Sequence, residues 1–180
     1  MKHDTASKRS PIGSRLNFCG KGGFSMFEVT IVVLIVGIIG AFLIPIVATN
    51  LTASRLSTAT NVLASDIEFC ASECITRPST PRKIVFDLAR NCYTLQDSSG
   101  ATIKYPADGL PYANDFSTGR NSRLQGVSIK QITANQRELT FDAYGRPQLN
   151  ADLSIQLQQA NATMTVTVKK ETGETLITLP

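Results

Sequence analysis

The stretch GKGGFSMFEVTIVVLIVGIIGAFLIPIV, residues 20–47, decides the reading of this chain. From 24 to 47 the only formal charge is Glu28, and residues 31–44 are wholly apolar. At about 1.5 Å per residue a helix of that length crosses the roughly 30 Å hydrocarbon core with some tilt, so the pattern predicts a transmembrane helix over 24–47. Basic residues precede it, which by the positive-inside rule keeps residues 1–23 cytoplasmic and sends the remainder outward. An ionised carboxylate at the centre of a membrane helix costs about 2.5–3.5 kcal/mol on insertion scales, so Glu28 calls for a purpose.

The formal charge of +4 on 180 residues is unevenly placed. Residues 1–23 hold Lys2, Lys8, Arg9, Arg15 and Lys21 against Asp4, whereas residues 24–180 balance thirteen basic with thirteen acidic side chains. Removing the leader removes the basic character, which argues against nucleic acid as a partner of the body. The only histidine, His3, is also in the leader. The body therefore has no Ser-His or Cys-His pair, and each of its acids reads as solvated, so neither an enzyme nor a metal or cofactor site is expected.

No convincing small-x-small site follows the apolar run, whereas small residues cluster before it at GKGG. GGFSMFE resembles the class III signal of type IV prepilins and type II secretion pseudopilins: a Gly, a Phe that becomes the new N-terminus, a Glu four residues on, then an unbroken apolar stretch. The resemblance implies cleavage between Gly23 and Phe24 by a prepilin peptidase and N-methylation of Phe24. It also implies a helix-kinking role for Pro45 and pairing of Glu28 with the N-terminal amine of a neighbouring subunit. Gly37 and Gly40 weaken the helix further or allow close packing.

Beyond Pro45 a helical pattern continues to Thr76, where RPSTPR stops it with two prolines. Leu56, Ala59, Leu63, Ile67, Cys70 and Cys74 recur at steps of three and four, one narrow apolar stripe on an amphipathic stem, residues 48–77. Cys92 follows in a strand, and Cys19 goes with the leader. The outward location is oxidising, so a bond from the stem to the first hairpin is expected, Cys74 or Cys70 to Cys92, which leaves one of the three unpaired; the alternative is three small buried hydrophobes.

Residues 78–180 read as short strands and turns. KIVFD and CYTL bracket a hairpin at Asn91, TIKY follows the turn DSSG, residues 106–126 form a long loop, and VSIKQI, ELTF, LSIQLQ, TMTVTVKK and TLITL complete a β-rich head. The expected fold class is α+β, a long membrane-inserted helix followed by an antiparallel β-sandwich-like head, as in type IV pilins. RELTFDAYGRPQ is similar to the Phe-x-x-x-Gly-x-Pro pattern of the H-type minor pseudopilins and FimT-like minor pilins, the GspH/FimT family. Phe141, Gly145 and Pro147 are the matching residues, with a structural role: a buried ring, a positive φ and a rigid turn.

The expected function is therefore that of a minor pseudopilin of a type II secretion system, a single-pass inner-membrane protein with its head in the periplasm that joins the pseudopilus near its tip or in the complex that initiates it. Its expected partners are other major and minor pseudopilins, the prepilin peptidase, the assembly platform and secreted cargo. A FimT-like minor pilin involved in pilus biogenesis or DNA uptake is the alternative. For that alternative, Arg120 and Arg123 share a loop, but the last turn reads KKETGETL, in which acids follow the lysines.

Overall fold

The computed structural model describes residues 23–116, 118–133 and 136–179, and only the backbone of residues 42–49. The leader to residue 22, and the side chain of Pro45 with its expected kink, lie outside the described residues. The first element is α1 (Met26–Thr76). The chain divides into two compact units, Met1–Phe42 and Leu43–Pro180.

In the first unit the helix starts at a serine. Ser25 Oγ accepts the Phe27 N–H at 3.3 Å and the Ser25 carbonyl accepts the Val29 N–H at 3.1 Å, which satisfies donors that a helix start leaves open. Glu28 falls in the first turn, where the helix dipole favours a negative charge. Ser25 and Glu28 have the S-x-x-E spacing of a capping box, a signal that the sequence reading passed over. Among the described residues no helix is long and apolar enough to cross a membrane; the apolar run read from the sequence extends past residue 41 into side chains that are not described.

In the second unit the stem presents its stripe to the core. Leu56, Ala59, Leu63, Ile67, Cys70 and Cys74 are all buried. The stripe is wider than its apolar members, for Thr60 and Asp66 are buried beside them. Thr60 meets the need of its hydroxyl by donating to the Leu56 carbonyl at 2.7 Å. The helix ends at Thr76, before Pro78 and Pro81, as the prolines require.

The strands are β1 (Arg82–Asp87), β2 (Cys92–Asp97), β3 (Ala113–Asp115), β4 (Ser128–Ile132), β5 (Glu138–Thr140), β6 (Leu153–Gln159), β7 (Ala162–Val168) and β8 (Thr175–Thr178). Among the described residues they form two antiparallel sheets, ordered β3-β2-β1-β5 and β4-β6-β7-β8. Strict alternation in β6 and β7 turns Leu153, Ile155, Leu157, Met164, Val166 and Val168 inward, where they join the stem stripe and Ile84, Phe86, Tyr93 and Leu95 of the first sheet in one core. The fold is thus α+β, one long helix followed by two antiparallel sheets.

Asn91 ties the sheets together. It turns the β1–β2 hairpin at φ 54°, and its amide donates to the Val127 carbonyl and accepts the Ile129 N–H, both at 2.7 Å. TIKY, expected as a strand, makes only isolated bridges at Thr102 and Lys104, because the chain turns back at once: Gly109 N–H reaches the Tyr105 carbonyl at 2.9 Å and Tyr105 N–H the Leu110 carbonyl at 2.7 Å. The strand that completes the sheet is β3, inside the stretch read as loop.

Candidate functional sites on the helix and the head

Around the expected cut, Gly23 has nothing near the space a side chain would fill, and Phe24 is 80% exposed. Glu28 is exposed and has no hydrogen-bond or ion-pair partner among the described residues. Met26, Phe27, Val29 and the apolar residues from Ile31 to Ile39 are likewise exposed. A soluble monomer seldom leaves contiguous apolar surface beyond a few hundred Å² uncovered, so a face of this kind marks a partner or a membrane.

The head contains a polar cluster that the sequence reading missed by treating every acid as solvated. Asp66 is buried on the stem. Its Oδ1 accepts the Tyr112 hydroxyl at 2.7 Å; its Oδ2 accepts the Tyr93 hydroxyl at 2.5 Å and the Asn114 amide. Asn114 in turn accepts from Asn121 at 3.2 Å. Burial raises the Asp66 carboxyl above its ordinary value, opposed by these donors and by the Arg120 charge. Burial and the facing carboxylate hold the Tyr93 hydroxyl well up. Spacing could have revealed the cluster, since Asp66 stands three residues after Leu63 and four before Cys70, on the stripe itself.

Residues 106–126 are tethered through the same region. Phe69 stacks on Tyr112 with ring centroids 5.5 Å apart, Tyr105 lies 4.6 Å from Tyr112, and the Arg120 guanidinium sits 3.7 Å over the Tyr105 ring while pairing with Asp108. Arg120 therefore braces the loop. Arg123, on the same 3-10 turn (Gly119–Leu124), is exposed. At the last hairpin Lys169 Nζ donates to Asp152 at 2.8 Å, and Lys170 donates its backbone N–H to the same carboxylate at 3.0 Å.

The cysteines require a correction. Cys70, Cys74 and Cys92 are all thiols. The Cys74 sulfur accepts the Arg82 N–H at 3.0 Å, and Arg82 pairs with Asp97 at one end of the β1–β2 ladder; Cys92 pairs with Asp87 at the other. Five residues of strand separate these ends, roughly 16 Å. A disulfide needs Cβ atoms about 3.5–4.5 Å apart, so neither Cys74 nor Cys70, its neighbour one turn back, can bond Cys92. Cys70 and Cys74 instead hydrogen-bond each other, which with burial pushes the Cys70 thiol up. The same bond, opposed by burial and helped by the Arg82 N–H, holds Cys74 down to about 7.

Phe141, Gly145 and Pro147 come together as one turn. Phe141 is buried and bridges to Pro147, while Gly145 takes φ 76°. Asp142 Oδ1 accepts the N–H groups of Tyr144 and Arg146 at 2.9 and 2.8 Å. A Cβ on Gly145 would stand 2.7 Å from Ile75 Cδ1, on the stem, and Gly173 packs against the same turn near Pro147. Gly145→Ala is expected to cost about 1–3 kcal/mol, read as a lowered midpoint in urea unfolding; an unchanged midpoint would show that the turn tolerates a side chain.

No family model matches the chain, and no curated protein matches it. Among solved structures it is similar to the type IV minor pilin FimU of Pseudomonas aeruginosa strain PAO1. The P65 crystal form is 12% identical over 68% of this chain and 92% of that one, with a TM-score of 0.48. The P21 form is 16% identical over 71% and 90%, with a TM-score of 0.48.

Proposed function

We propose that this chain is a structural subunit of a type IV pilin-like filament, and within that class a minor pseudopilin of a type II secretion system. The observation that carries the reading is the uncovered apolar helix after Gly23, with Phe24 exposed at its head and an unpartnered Glu28 in its first turn. In this reading residues 24–47 sit in the inner membrane, prepilin peptidase cuts after Gly23, Phe24 is methylated, and the new amine pairs with Glu28 of a neighbour. Residues 48–77 form the stem and residues 78–180 the periplasmic head, which contacts other pseudopilins or cargo. The H-type assignment rests on the resemblance carried by Phe141, Gly145 and Pro147.

The DNA-uptake alternative needs cations free to meet phosphates. Lys169 is paired with Asp152, Arg120 with Asp108, and Glu171 and Glu174 adjoin Lys170. That arrangement favours the secretion reading.

Gly23→Trp in cells carrying the peptidase is expected to leave a precursor 23 residues longer than the wild-type product on a gel. Normal processing of that variant would overturn the cut site.

A further inference from the structure

Where the stem meets the head, Phe69, Glu73 and Arg77 follow one helical face at steps of four and close a cavity of about 280 Å³ with Arg82 of β1 and the segment after β2. Three of the lining residues are cations, Arg77, Arg82 and Lys104, and one is a carboxylate, Glu73; Asp97, opposite Arg82 on β2, also feels the Arg82 charge. Glu73 Oε2 lies 3.8 Å from both Arg77 Nη1 and Arg82 Nε, beyond hydrogen-bond reach. The Arg82 side chain is only 11% exposed, and its buried Nε–H has no acceptor. A buried guanidinium donor without an acceptor is costly and rare, so its orientation needs a reason. Lys104 is exposed at the rim, and its ammonium has no partner among the described residues.

We propose that this cavity is a docking site for the carboxylate of an acidic side chain on a neighbouring polypeptide. The net positive charge selects an anion. The terminal nitrogens of the Arg82 guanidinium, beyond its buried Nε, suit a carboxylate oxygen, and Lys104 or Arg77 at the rim suits the second oxygen. The remaining wall, Phe69, Ile103 and Pro106, is apolar and covers the methylenes of a glutamate-like stem, which a bare phosphate lacks. The volume lies below the range typical of small-molecule pockets and matches a side-chain-sized group. All of its lining residues belong to the second unit, and the site does not depend on the filament reading.

The test is amide NMR of the full chain in detergent micelles, titrated with N-acetylglutamate amide, its neutral glutamine counterpart and inorganic phosphate. The glutamate probe is expected to shift the Arg82, Ile103 and Lys104 amides saturably, the glutamine probe to leave them in place, and phosphate to bind several-fold more weakly. Arg77→Gln with Lys104→Gln, both at exposed positions, should weaken the glutamate probe about tenfold, whereas Lys130→Gln should not. Absence of saturable shifts, equal binding of the glutamine probe, equal binding of phosphate, or indifference to the double change would each overturn the assignment.

Discussion

Asp66→Ala is expected to lower the stability of the head by about 3 kcal/mol. The change strips the acceptor from two tyrosine hydroxyls and an amide that are buried around it, and a buried polar group left unsatisfied costs about 1–3 kcal/mol. Part of that loss is offset because the ionised carboxylate is itself disfavoured by burial. For a chain of this size the fall in Tm is roughly 6–12 °C. The pH dependence has a definite sign. A carboxyl whose folded pKa is raised stabilises the fold fully below its unfolded pKa, and that contribution fades as pH rises through the folded value. The wild type therefore carries a term that falls with rising pH from the ordinary carboxyl range upward, and Asp66→Asn should flatten it. An Asp66→Ala protein as stable as the wild type would mean that the cluster does not hold stem, sheet and loop together.

Glu28→Ala should be cut normally and yet be absent from filaments. On the proposed reading, the amine created at Phe24 pairs with Glu28 of a neighbour in a low-dielectric setting, and deleting one partner of such a pair costs about 3–5 kcal/mol. That is a loss of incorporation of roughly a hundredfold or more. The effect on the helix itself is far smaller, about 0.3–1 kcal/mol for a first-turn acid, so helix content by circular dichroism should barely change. The two readouts separate assembly from local stability. Wild-type incorporation by Glu28→Ala would reduce the acid to a helix-start residue beside Ser25.

The fold was legible wherever burial follows a simple period. The six residues of the stem stripe and the alternating faces of β6 and β7 could be placed from spacing alone, because each element buries one continuous face. Gly145 was legible for a different reason, since a positive φ before a rigid proline leaves few other residues suitable. What escaped were features set by partners distant in sequence. Asp66 looked like any solvated acid until Tyr93, Tyr112 and Asn114 converged on it, and β3 was hidden by the glycines and prolines around it. The cysteines were misread because sequence puts Cys92 soon after the stem, whereas strand register puts it at the far end of the hairpin from Cys74. Arg82 is similar: its cavity is assembled from the stem, β1 and a loop, and no local motif announces it.

On the proposed reading the exposed apolar helix is an assembly segment whose N-terminus is made by cleavage. Mass spectrometry of the N-terminal peptide from the protein isolated from membranes tests it most directly. The expected mature chain begins at Phe24 and carries a methyl group on its amine. A mature protein that retains residues 1–23, or that begins after residue 47, would contradict it.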